Sequence, residues 1–170
     1  VLVTIMTTVT LWAGVPRVDF HVSVENTAED HRLRALFPLP FKVEHVITEN
    51  QFHVAERELT PLPWNGESAE QPPTTFPQKT FAAFEKGGEG LAVFNKGLQE
   101  GEVVTNRAGE QAYALTLLRC VGWLSRPDLV SRRGGAGPTI ATEDSQMRGS
   151  HEFDYALTSY RGGWRAAGVQ

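Results

Sequence analysis

The groups with which this chain could do chemistry are five histidines, one cysteine and twenty acidic residues. His21, His31, His45, His53 and His151 form no H-x-x-x-H pair, and none stands beside a Cys-x-x-Cys at metal-ligand spacing. Only His45 and His53 are placed to meet across a strand pair, and separate polar positions is the reading their spacing favours. Cys120 lies inside the apolar run 117–124, which predicts an inert buried thiol rather than a nucleophile. A carboxylate pair ~5 Å apart can run retaining glycoside hydrolysis. Here most acids sit at expected turns (Glu29, Asp30, Glu67, Glu85, Glu89), where they solvate the surface, and only Glu152 and Asp154 share one face of an expected strand.

The glycine-rich run Arg132-Arg133-Gly134-Gly135-Ala136-Gly137-Pro138 offers backbone donors, but no apolar helical pattern follows it. A phosphate loop on a helix N-terminus is therefore not supported. The stretch 119–133 is richer. It carries Arg119, Arg126, Arg132 and Arg133 with Asp128 and Trp123, where a strand gives way to a loop. Guanidinium forks suit carboxylates and sugar hydroxyls, and indole faces suit sugar rings. Trp12, Trp64, Trp123 and Trp164 are the available stacking surfaces, and Trp64 stands in a proline-rich stretch.

What must position these groups is a set of strands. The dominant apolar period is two. Val1, Val3, Ile5, Val9 and Leu11 share one parity; Val18, Phe20, Val22 and Val24 follow after a turn; Leu33, Ala35 and Phe37 repeat the pattern beyond the polar turn 26–30. The second and third of these segments read as a hairpin with one solvated face. Further pairs are expected at 42–47 with 52–58, 81–84 with 91–95, and 102–105 with 112–124, and a last strand at 151–158. Residues 59–77 hold five prolines, which remove donors and keep the segment out of a central sheet. The expectation is one all-β domain over 1–170, an antiparallel β-sandwich with a proline-rich loop at 59–77 and a truncated tail at 165–170.

Charge bounds the partners. Sixteen basic against twenty acidic residues give a formal net charge of −4 and a pI near 5.7, which disfavours nucleic acid and membrane surfaces. With one cysteine no internal disulfide forms. The pattern opens at Val1 in mid-alternation, so a strand entered from upstream is expected.

Six ordered segments together resemble the C-terminal β region of glycoside hydrolase family 38, the α-mannosidase family. They are Val15-Pro16-Arg17-Val18-Asp19-Phe20, Val24-Glu25-Asn26, Asp30-His31-Arg32-Leu33-Arg34-Ala35-Leu36-Phe37-Pro38, Thr75-Phe76-Pro77-Gln78, Gly90-Leu91-Ala92-Val93-Phe94-Asn95-Lys96-Gly97-Leu98 and 115–126. The resemblance implies a sandwich of the galactose-mutarotase-like, supersandwich type. It also implies a parent enzyme that cleaves α-mannosides with retention, with zinc and the nucleophile in an N-terminal catalytic domain. No segment here matches those catalytic motifs, so no catalytic or metal residue is carried over. Arg119, Asp128 and Arg133 are the candidates for contact with the rim of a sugar site. The expected function is a non-catalytic C-terminal domain packed on its catalytic neighbour, and the alternative is a carbohydrate-binding sandwich without hydrolase activity. Standing alone, such a piece is expected to expose an apolar patch or to form a homodimer.

Overall fold

The computed structural model describes residues 2–169, so Val1 of the opening alternation and Gln170 at the end of the expected tail lie outside it. Its strands are β1 (Val3–Leu11), β2 (Val18–Asn26), β3 (Arg32–Pro38), β4 (His45–Glu49), β5 (Val54–Glu58), β6 (Thr75–Pro77), β7 (Phe81–Lys86), β8 (Glu89–Asn95), β9 (Glu100–Thr105), β10 (Gln111–Arg119) and β11 (Gly149–Arg161). One short 3-10 turn, Glu143–Gln146, precedes β11. The strands form a seven-stranded sheet, β1-β2-β11-β8-β7-β4-β5, and a four-stranded sheet, β3-β10-β9-β6. All their pairings are antiparallel. The fold is an all-β antiparallel sandwich, as the alternation predicts.

The two sheets close on one main core. Phe37, Tyr113, Leu115, Leu117 and Phe76 of the smaller sheet meet Val46, Ala82, Phe84 and Val93 of the larger. Tyr113 is the hub, with the rings of Phe37, Phe76 and Phe84 centred 5.1–6.2 Å away. Room for it exists because its diagonal neighbour across the β9–β10 ladder is Gly101. A Cβ there would meet the Tyr113 ring at 2.5 Å, with Phe76 at 3.0 Å. A second cluster lies on the outer face of the large sheet, where Trp164 and Val169 cover Ile47, Phe81, Ala83 and Ala92. The tail beyond β11 is therefore a packed flap, turned by bonds from Ala167 N to Gly163 O and Val169 N to Trp164 O.

Several local expectations need correction. The segments 17–25 and 32–37 are not hairpin partners: β2 pairs with β1 and β11 in the large sheet, and β3 pairs with β10 in the small one. The chain crosses between sheets at 26–31. Asp30 takes a left-handed φ of 51° there, which a short polar side chain tolerates. The strand expected to run to 124 ends at Arg119, and the proline-rich segment finishes as the three-residue edge strand β6. At an edge, Pro77 breaks no ladder. The remaining hairpins, β4–β5, β7–β8 and β9–β10, are paired where the alternation puts them.

Candidate functional site

The residues singled out at 119–133 occupy the end of β10 and the long connection from β10 to β11. That connection is held at its base by side-chain amides. Buried Asn26 donates to the carbonyls of Gln146 (3.1 Å) and Met147 (2.7 Å), and its oxygen accepts from Ala28 N at 3.1 Å. Gln146 in turn accepts from Asp30 N at 2.8 Å and donates to the Asp30 carboxylate at 2.9 Å. Gly122 passes so close that a Cβ would meet Gln146 Nε2 at 3.0 Å.

Further out, the connection is zipped to the proline-rich loop. Arg133 N donates to Ala69 O, and Gln71 N to Ser131 O, both at 2.8 Å. Arg132 pairs with Glu70 at 2.9 Å. The Arg133 guanidinium lies 5.5 Å from the Trp64 ring centre and donates to Gly66 O. Trp64 Nε1 is spent on Ser68 Oγ at 3.0 Å. Trp64 is thus half-buried and pinned onto its own domain.

The three candidate rim residues are separately engaged. Arg119 reaches Glu100 at 3.3 Å on the outer face of the small sheet, beside the pair Arg32–Glu100 at 2.6 Å. Asp128 is locked to Arg126 by two bonds of 2.9 and 2.6 Å, and the Arg126 hydrogen bond holds its carboxyl below the usual range. Arg133 belongs to the Trp64 clasp. No contact joins the three among the described residues.

The other chemistry-bearing groups are also accounted for. Cys120 is buried, and desolvation pushes its thiol pKa up, so it is no thiolate nucleophile at neutral pH. His31 Nε2 lies 3.8 Å from its sulfur. His45 faces Glu58 across the β4–β5 ladder, and His53 lies beyond the last pair, so the two histidines do not meet. Glu152 and Asp154 do share a face of β11. Asp154 binds His21 at 2.9 Å and Lys96 at 3.4 Å. That cluster, unnoticed in the sequence because its members are 58 to 133 residues apart, does not fit zinc, since its third group is an ammonium. Among the described residues no three His, Cys, Asp or Glu side chains converge to hold a metal ion.

Residues 2–128 match the family model for the glycosyl hydrolases family 38 C-terminal domain. The chain belongs to glycoside hydrolase family 38. A relative from Halalkalibacterium halodurans, described as a "Putative mannosylglycerate hydrolase", is 30% identical over 98% of this chain and 16% of its own length. Among solved structures, an α-mannosidase from Enterococcus faecalis V583 is 28% identical with a TM-score of 0.77, covering 98% of this chain and 17% of that one. A family 38 glycosyl hydrolase protein from Enterococcus faecalis gives 28% identity and a TM-score of 0.74, covering 95% and 16%. The family 38 chain thus spans about one-sixth of the length of these relatives.

Proposed function

We propose that these residues are the non-catalytic C-terminal β-sandwich of a family 38 glycosidase acting on α-mannosides or related mannosylated compounds. In this reading the sandwich packs against a catalytic portion of the same polypeptide, which carries the zinc and the nucleophile. The connection from β10 to β11 is the contact face. One observation carries this: that connection exposes Val121, Trp123, Leu124, Leu129, Val130 and Ile140 together. Apolar residues gathered on one loop, itself fixed by the Asn26 and Arg132 bonds, mark a surface built to be covered. Arg126 and Asp128 border that face with exposed, mutually oriented polar groups. Arg119, Asp128 and Arg133 would reach a sugar site only as its rim.

The test is direct. The 170-residue chain, purified alone, is expected to release no 4-nitrophenol from an aryl α-mannoside, with or without added zinc. It is also expected to show no saturable tryptophan quenching on titration with mannose oligosaccharides. Turnover that survives metal removal would overturn the non-catalytic reading. Quenching lost on Trp123→Ala would favour a free-standing sugar-binding module instead.

A further inference from the structure

The two sheets have four edges, and three of them are guarded. β5 is five residues long and ends in Glu56-Arg57-Glu58. β3 carries Arg32 and Arg34, both ion-paired, and ends at Pro38. β6 is three residues long and ends at Pro77. Charge, proline and brevity are the usual devices that stop a sheet edge from recruiting another strand.

β1 has none of them. Its nine residues, Val3–Leu11, include no charge, no proline and no glycine. They pair with β2 over nine successive positions without a bulge. Among the described residues β1 has a strand neighbour on one side only. Val3, Ile5, Thr7, Val9 and Leu11 stand opposite Asn26, Val24, Val22, Phe20 and Val18, so they continue the core face of the large sheet. The small sheet does not reach them. Val3 joins the cluster around Val22, Val24 and Leu118, whereas Ile5, Val9 and Leu11 are 48%, 57% and 74% exposed.

We infer that β1 is an interior strand, whose free edge is paired in antiparallel fashion by a further β-strand from the same polypeptide outside residues 1–170. That strand places apolar side chains beside Ile5 and Val9. This rests on the proposed membership in a longer enzyme, since the relatives are about six times this length. A tethered strand acts at an effective concentration of order mM for short flexible linkers. It therefore outcompetes a second copy of the chain, which must be met in solution. Strand addition also satisfies the alternate β1 amides and carbonyls that point away from β2, which a helix or loop laid on the apolar row would leave unpaired.

Amide hydrogen exchange on the complete natural protein, against the 170-residue chain alone, tests this. Alternate β1 amides are expected to exchange slowly in the complete protein and fast in the chain alone. A second readout uses Val9→Lys. It is expected to leave the melting temperature of the chain alone within a degree or two, yet to lower that of the complete protein by several degrees. Fast exchange of those amides in the complete protein, or an equal effect of Val9→Lys in both, overturns the inference. So does a concentration-dependent dimer of the complete protein that Val9→Lys dissolves, because a second copy then occupies the edge. The intact mass of the natural protein separates the two levels. A mass of 18.8 kDa would refute the longer-enzyme reading itself, whereas a long protein with a fast-exchanging β1 refutes the strand alone.

Discussion

Replacing Asn26 by alanine isolates what a buried amide does at the crossover between the sheets. Asn26 is almost completely buried, and besides a weak bond to Cys120 Sγ at 3.5 Å it makes three bonds that span β2, the turn after it and the last residues before β11. The losses are unequal. The carbonyl of Met147 keeps a second partner, His151 Nε2 at 2.8 Å, so it forfeits only one of two bonds. The carbonyl of Gln146 has no other donor among the described residues and becomes a buried orphan. An orphaned buried acceptor costs about 1–3 kcal/mol, and each ordinary bond lost about 1 kcal/mol. The sum is about 3–5 kcal/mol, before any small cavity is counted. At about 2–4 °C per kcal/mol for a chain of this size, the melting temperature should fall by about 6–20 °C.

Asn106 supplies the control. It also makes three bonds, to Ala108 N, Glu110 N and the Glu110 carboxylate at 2.8–3.0 Å, but at an exposed hairpin turn. Water replaces what Asn106→Ala removes, so its cost should stay below about 1 kcal/mol. Thermal unfolding of both variants by near-ultraviolet circular dichroism makes the comparison. Equal losses, or an Asn26→Ala loss under about 1 kcal/mol, would refute the claim that burial of the amide fixes the β10–β11 connection.

Three further outcomes follow from the same geometry. Gly101→Ala drives a Cβ to 2.5 Å from the Tyr113 ring and should destabilise by about 1–3 kcal/mol in urea titration, while Tyr113→Phe, which deletes a buried hydroxyl with no partner, should be near neutral. The Cys120 thiol, buried and with its pKa raised chiefly by desolvation, should ignore Ellman's reagent in the folded protein and react fully in denaturant. The His21 hydrogen bond, then Lys96, hold the Asp154 carboxyl below its usual range. A depressed folded value means stabilisation that is present above the unfolded pKa and lost as pH falls through the folded one. Asp154→Asn should therefore flatten the acid side of a stability–pH profile.

The parts of the fold that could be read from the residues are those set by neighbours in the chain. Hairpins β7–β8 and β9–β10 have short turns at Lys86-Gly87-Gly88-Glu89 and Asn106-Arg107-Ala108-Gly109, and Gly97 takes the positive φ of 76° that its place after β8 suggests. The crossover at 26–31 was not legible, because a polar turn reads alike whether the chain doubles back or changes sheets. What decides it is Asn26 reaching Gln146, 120 residues away. The candidate site was legible in composition only. Arginines at 119–133 signalled a polar loop, but their partners Glu100, Glu70 and Trp64 lie on other elements, so no local pattern could say which guanidinium was free.

β1 turns this limit around. Its parity is a core pattern, matched residue for residue to the inner face of β2, yet among the described residues only Val3 of that row joins a core cluster. Alternation in a sequence records burial in the finished protein, whatever length of chain is in hand. Where that pattern and the exposure of a strand disagree, as at Ile5, Val9 and Leu11, the proposed further strand accounts for the disagreement. The charged edge of β5, whose Glu56-Arg57-Glu58 end shows no such conflict, marks by contrast a boundary meant to face water.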